Sequence, residues 1–367
     1  MTNSILLISN SIITMYRFRS FLIKNLIKTN KVTIISHGKI KKKLLSKVKY
    51  IQLDDLRKRS IFSLSHLNYF LILNNLLKKN NFKNIVIYGS DYIGLTLFFF
   101  KIFNKNFVKK TSIVFTGVGA IFILKKYILL RFILIWLINI KDLKNIIVLN
   151  KHDYDLLYKI VNKKNNVKLL KSEGIDESII FQNKNRYKNH PRIVFISRPV
   201  FDKGLKDFLH FISFLRKKGI FNQTVVYGFN VNEKSSLPLS FFRKAETFNI
   251  KFMGYVPNIE KKLYQNDIVL IISEREGANR VLIECLSFKI CFLSSDVPGL
   301  KDYTPIELRN ILLTDFKNLN SSFKKFQFIL KNQEYLIQKL NKINKVNGQI
   351  FFNNQQIISF YNKKILK

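Results

Sequence analysis

DIVLIISEREGANRVLIECLSFKICFLS, Asp267 to Ser294, is the stretch whose reading decides the fold. DIVLIIS is a short apolar run of the kind that forms a buried strand. EREGAN follows as a polar loop with one glycine. RVLIECLSF then reads as a helix, with Val281, Leu282, Cys285 and Leu286 on an inner face. KICFLS is a second apolar run. Strand, loop, helix and strand in that order make a parallel pair with its crossover helix.

The same alternation extends in both directions. RIVFIS (192–197), TVVYG (224–228) and IKFMG (250–254) precede it. The first half holds SILLIS (4–9), VTIIS (32–36), NIVIY (84–88), SIVFTG (112–117) and NIIVLN (145–150), with helical patterns between them. Parallel strands covered by helices on both faces follow from this. NKNRYKNHPR (183–192) is polar and reads as a linker. The chain's 367 residues suit about two domains. The expected division is an α/β domain over 1–185, a second over 190–348, and a C-terminal helix over 349–367.

Net charge is +40, from 63 basic and 23 acidic residues. Residues 1–190 carry +26 and residues 191–367 carry +14. Such a surface attracts polyanions, either nucleic acid or an anionic lipid leaflet. The aromatics lie in apolar runs rather than alternating with Lys and Arg, and no nucleic-acid-binding motif is present, so nucleic acid is not the expected partner. The two cysteines, Cys285 and Cys291, make neither a disulfide framework nor a metal quartet and read as buried thiols. The most apolar stretch, IFILKKYILLRFILIWLINI (121–140), is interrupted by Lys125, Lys126 and Arg131. It fits a buried or interfacial helix better than a membrane span. The first twenty residues lack the basic start of a signal peptide.

The loop and helix start at 274–284 carry chemistry. Backbone N–H groups are unpaired at a helix N-terminus, and the helix dipole favours an anion there. Glu276 in the loop and Glu284 in the helix would repel a phosphate but accept from hydroxyls. A ligand with phosphate in the middle and hydroxyls on either side uses both, and nucleotide sugars have that anatomy. Glu274 reads as a solvated loop residue. RIVFISRPVFDKGLKDFL (192–209) supplies cations at the end of another strand: Arg198, then Lys203 ahead of Gly204. Arg forks onto two phosphate oxygens and Lys adds a point charge.

Arg198 with Lys203-Gly204, GYVPN (254–258), S-x-x-E-G (273–277), Glu276-x7-Glu284 and SSDVPG (294–299) stand in the order and spacing of the family 4 retaining glycosyltransferases. The chain resembles that family over about 190–305. It most resembles the branch that extends undecaprenyl diphosphate-linked sugars, which includes N-acetylgalactosaminyltransferases. ILLISN with RFR downstream, and FTGVG (115–119), resemble that branch more loosely. The resemblance implies the GT-B fold: two Rossmann-like domains facing a cleft, with the C-terminal helix packing back on the first. It implies that Arg198 and Lys203 neutralise the donor diphosphate and that Glu284 holds the ribose hydroxyls. Glu276 would contact the transferred sugar. Backbone N–H groups of Gly277, Ala278, Asn279 and Arg280 would meet sugar and phosphate. The base would lie near Gly254, Tyr255 and Val256, and Thr116 and Gly117 would face the cleft. It further implies a lipid-linked saccharide acceptor, a UDP-sugar donor, and a cytoplasmic enzyme peripheral on the inner face of the membrane. No cofactor and no metal are expected.

Two features depart from that pattern. Thr116 stands where many members have a histidine, and Asp91 is the substitute base the sequence offers. SNSIITMYR, after the first strand, has no glycine. Asp153-Tyr-Asp155 matches the D-x-D metal pattern of the other glycosyltransferase fold, but opens a helix, where Asp in the first turn is ordinary. The five histidines show no ligand spacing, and Lys39 to Lys43 reads as a solvated loop, with contact to lipid headgroups as the alternative. The rival readings are a basic nucleic-acid-binding protein and a nucleotide-sugar epimerase on the same fold.

Overall fold

The computed structural model describes residues 3–39, 47–53, 64–118, 122, 127–170, 172–175, 186–199, 203–229, 238–352 and 354–366, with the backbone alone described at 91, 165 and 344–352. The chain divides into two compact units. The first comprises Met1–Asp176 and Asn353–Lys367, and the second Glu177–Phe352.

The first unit carries β1 (Asn3–Ser9), α1 (Ile12–Leu26), β2 (Asn30–His37), β3 (Val48–Leu53), α2 (Leu64–Lys79), β4 (Asn84–Tyr88) and α3 (Ser90–Phe103). β5 (Thr111–Phe115), α4 (Ile128–Ile138), β6 (Asn145–Val148), α5 (Lys151–Ile160) and β7 (Val167–Leu169) complete its sheet. The strand order is β3-β2-β1-β4-β5-β6-β7, and the pairs are parallel. Ile5 to Ile8 of β1 are fully buried, as a central strand covered on both faces requires.

The second unit carries β8 (Ile193–Ile196), α6 (Leu205–Lys217), β9 (Thr224–Tyr227), α7 (Leu239–Glu246), β10 (Ile250–Phe252), β11 (Ile268–Ile271), α8 (Arg280–Phe288) and β12 (Cys291–Ser295). α9 (Pro298–Lys301), α10 (Arg309–Leu312), β13 (Leu313–Thr314), α11 (Leu319–Lys331) and α12 (Gln333–Phe352) follow. The order is β10-β9-β8-β11-β12-β13, again parallel. α6 buries Leu205, Phe208, Leu209, Ile212 and Leu215, a helical stripe that seats it on the sheet. Both sheets reverse their winding once: between β1 and β4, and between β8 and β11. Ligands of such sheets bind outside the carboxyl ends of the strands at that reversal.

The α/β fold with two parallel sheets is the expected one, and so is the placing of the C-terminal segment. α13 (Asn354–Phe360) and the π turn Tyr361–Ile365 pack in the first unit, against α1. Asn84 donates to the Leu366 carbonyl at 3.0 Å, and Asn145 to that of Lys364 at 2.8 Å. The Tyr361 hydroxyl meets that of Tyr88 at 2.8 Å. Arg19, buried beside them, lies 4.1 Å over the Tyr88 ring and pairs with Glu173. Burial pushes the Tyr88 phenol up to about 12.

Candidate active site

The reversal in the second sheet puts the ends of β8 and β11 side by side. The loop after β8 delivers Lys203, and the loop after β11 delivers Glu276. The two meet: Lys203 Nζ donates to Glu276 Oε1 at 2.8 Å. The same oxygen accepts from Ser273 Oγ at 2.7 Å and Asn279 Nδ2 at 2.8 Å. Oε2 of Glu276 accepts nothing among the described residues. Three donors on one oxygen fix the carboxylate and leave its other oxygen for a ligand hydroxyl. The lysine and glutamate side chains are 20% and 10% exposed, so the pair is sheltered but reachable.

Asn279 holds two elements at once. Its side-chain oxygen caps α8 by accepting from the Leu282 N–H at 2.8 Å, while its amide holds Glu276. The loop and the helix N-terminus are thereby one structure. Glu284, 3% exposed, accepts from Arg280 Nε at 3.2 Å, one helical turn away. Gly277, Ala278 and Arg280 are half-buried and Asn279 is buried. Glu274 is exposed, as the sequence reading has it.

Two glycines shape this corner. Gly204 starts α6 at φ +68°, and a Cβ there would run into the Ile272 carbonyl at the end of β11. Gly299, in SSDVPG, backs onto the carbonyls of Glu276 and Gly277, with no room for a side chain. The Ser273 N–H also donates to Ser295 Oγ at 3.2 Å. Ser273 and Gly299 shape this corner, and the sequence assigned them no role. Their signal was the pair of quoted motifs, S-x-x-E-G and SSDVPG, whose strands β11 and β12 are neighbours.

Arg198 is exposed, on the loop that carries Lys203. Gly254 is buried and its loop is fixed by a reciprocal pair: Gly228 N–H donates to Gly254 O at 2.8 Å, and Gly254 N–H to Phe229 O at 3.1 Å. Tyr255 is 54% exposed and Val256 half-buried.

In the first unit, Thr116 is exposed and Gly117 half-buried just after β5. The next N–H, of Val118, donates to Asp153 Oδ2 at 3.1 Å. Asp153 is 5% exposed and bonded to Asn150, the N-cap of α5. Asp155 is exposed and pairs with Lys151 at 2.6 Å. Asp153 therefore braces the Thr116–Val118 loop, and the D-x-D spacing is that of a helix start. No group of three metal-ligating side chains occurs among the described residues. The Asp91 side chain, and Lys41 to Lys43, lie outside the described residues.

Both cysteines are buried and unbridged. Burial raises the Cys285 thiol well above its usual range and Cys291 to about 12, so both are core fillers rather than nucleophiles.

No curated protein matches the sequence. Solved structures share the fold. A sucrose-phosphate synthase (tll1590) from Thermosynechococcus elongatus has 14% identity and a TM-score of 0.77, covering 98% of each chain. Anabaena Alr3699/HepE, solved in complex with UDP-glucose, has 12% identity and a TM-score of 0.71, covering 98% of this chain and 99% of its own. A glycosyltransferase from Rickettsia africae ESF-5 has 17% identity and a TM-score of 0.70, covering 99% of each. The fold is therefore that of the GT-B glycosyltransferases, and residues 176–349, which contain the Lys203–Glu276 corner, match the family described as Glycosyl transferases group 1.

Proposed function

We propose that the protein is a retaining glycosyltransferase that moves a hexose or N-acetylhexosamine from a nucleotide sugar to a saccharide carried on a polyprenyl diphosphate, in the assembly of a cell-surface polysaccharide. The observation that carries the reading is the meeting of Lys203 and Glu276 beside the α8 N-terminus, at the reversal of the second sheet. A cation, an ordered carboxylate and a helix start within one corner match the diphosphate and hydroxyls of such a donor.

The chemistry follows from charge. As the bond from the sugar to phosphate breaks, its electron pair leaves with the diphosphate. Lys203, Arg198 and the α8 N-terminus stabilise that growing charge and act most strongly in the transition state. Glu276 Oε2 accepts from a sugar hydroxyl, while Lys203, released in part from Oε1, turns to phosphate. Glu284 takes the ribose hydroxyls, and the loop Gly254 to Val256 borders the base. The acceptor hydroxyl attacks from the face the leaving group vacates, and the leaving phosphate takes its proton. The two cations supply the charge a divalent ion would otherwise bring, so no metal is required. UDP is the expected nucleotide, in keeping with the UDP-glucose bound by Anabaena HepE. The acceptor places the enzyme on the inner, anionic face of the cell membrane, which suits a chain of net charge +40.

Calorimetry with a panel of nucleotide sugars, on wild type and Glu284→Ala, tests the reading. The expected result is binding of a UDP-sugar that the substitution weakens about ten- to hundredfold. A folded protein that binds no nucleotide sugar would overturn it.

A further inference from the structure

Helices α2, α3 and α4 share one face of the first sheet. Its strands wind one way from β1 to β3 and the other way from β4 to β7. Right-handed crossovers therefore put the helices before and after β4 on the side opposite α1. The contacts agree: Phe70 of α2 stacks on Phe99 of α3 at 5.3 Å, and Lys101 of α3 lies 2.9 Å over the Trp136 ring of α4.

The outer side of this helix layer is apolar. α4 turns Leu137 and Ile138 into the core and presents Leu129, Phe132 and Trp136 outward, 70%, 63% and 51% exposed. α3 adds Ile102 and Phe103, 51% and 66% exposed. On α2, Leu67 and Leu71, spaced one turn apart, are more than half exposed. Isolated exposed apolar side chains are ordinary, but a run along three adjacent helices marks an interaction surface.

The charge around it selects the partner. Residues 64–141, which run from α2 to just past α4, contain eleven Lys or Arg and one acidic residue, Asp91. A second copy of the chain would bring the same positive face against this one. An anionic bilayer brings the opposite charge and an apolar interior. A single exposed Trp with one lysine, Lys101, stacked on its ring, on a short apolar helix whose one charge is Arg131, is an arrangement that suits a headgroup boundary. No helix among the described residues is long and apolar enough to cross a membrane.

We propose that the outer face of α4, with the neighbouring ends of α3 and α2, inserts into the headgroup region of an anionic lipid leaflet and docks the enzyme there. This deepens the membrane placement proposed above, by naming the surface and the mode, and it does not depend on the donor chemistry. Docking combines apolar insertion with attraction of the lysines, so salt weakens it without abolishing it at high anionic-lipid content.

Trp136 is the chain's one tryptophan and reports on this face alone. Its emission is followed as the full chain is titrated with phosphatidylcholine vesicles, with and without phosphatidylglycerol, containing no saccharide acceptor. The expected result is a blue shift with anionic vesicles, and quenching by lipids brominated on the upper acyl chain. Leu129→Ser with Phe132→Ser, at exposed positions, is expected to weaken partitioning at least about tenfold. Its circular dichroism and UDP-sugar binding should stay unchanged. Vesicle binding without shift or quenching would overturn insertion, leaving surface attraction alone. A blue shift that follows protein concentration without vesicles would overturn it in favour of self-association. If UDP-sugar binding failed while Trp136 still inserted, the transferase reading would fall and the docking face would stand.

Discussion

The two sheets reverse their winding in the same way, yet the two reversals are furnished differently. In the first, the turn after β1 is short and uncharged. Ser9 Oγ donates to the Ser11 carbonyl, Ser11 caps α1, and the space beside Gly89, after β4, is filled by Asn10. In the second, the loops bring an ammonium and a carboxylate into contact beside a capped helix start. Topology therefore supplies the position of a site, and residue chemistry decides what occupies it. The resemblance of the two halves as folds says nothing about equal roles.

The largest expected effect marks the limit of charge as a guide. Arg192 and Asp267 stand just before β8 and β11, at the opposite ends of the same two strands. Arg192 Nε and Nη2 bond to the two Asp267 oxygens at 2.8 and 2.7 Å, and Asp267 is fully buried. Asp267→Ala strands a buried guanidinium and is expected to cost about 3–5 kcal/mol in urea unfolding. Donor binding at temperatures where the variant is folded should be little changed. A loss of affinity without a loss of stability would break the contrast between the two ends of the strands.

Lys203→Ala comes next and should act on rate rather than folding. Transfer is expected to fall by about 10² to 10³, the usual cost of removing one fixed stabiliser of a developing anion. The melting temperature should move less than for Asp267→Ala, because Glu276 keeps its bonds from Ser273 and Asn279. Initial rates and thermal melts on one preparation separate the two. Glu284→Ala follows, with donor affinity down about ten- to hundredfold, from hydrogen bonds to a charged acceptor worth about 1.5–3 kcal/mol together. Unchanged affinity in calorimetry would remove the ribose from that glutamate.

The sequence made the central strands legible because β1, β4, β8, β11 and β12 are continuous apolar runs. β3 (VKYIQL), β7 (VKL) and β13 (LT) escaped it. All three are edge strands, short or half polar, with too little apolar pattern to rise above a loop. The candidate site is legible where a motif carries it: the quoted motifs mark Glu276, Glu284 and Lys203. That Lys203 and Glu276 touch is not, since the two lie 73 positions apart and only the β8–β11 pairing joins them. Gly299 and Ser273 act through the fold of neighbouring loops. Asp153 was placed at a helix start correctly, but its bond to Val118 depends on β5 lying beside β6.

The smallest effects compare the two reversals directly, because each has a side-chain helix cap. Ser11 accepts from the Thr14 N–H in the first, and Asn279 from the Leu282 N–H in the second. Ser11→Ala and Asn279→Ala should each cost about 1 kcal/mol of stability, the usual value of a cap. Their second readouts should part. Asn279 also holds Glu276 Oε1 at 2.8 Å, so losing it loosens the carboxylate and raises the KM for the sugar donor. Asn279→Asp tests that step alone. It keeps the cap, since aspartate caps as well as asparagine, but sets a like charge against Glu276. The aspartate variant keeps the cap but carries that repulsion, so it should gain no stability over the alanine and be the poorer of the two in turnover. Ser11→Ala should leave donor KM where it was. Equal kinetic losses at Ser11 and Asn279 would mean that the first reversal also serves the donor.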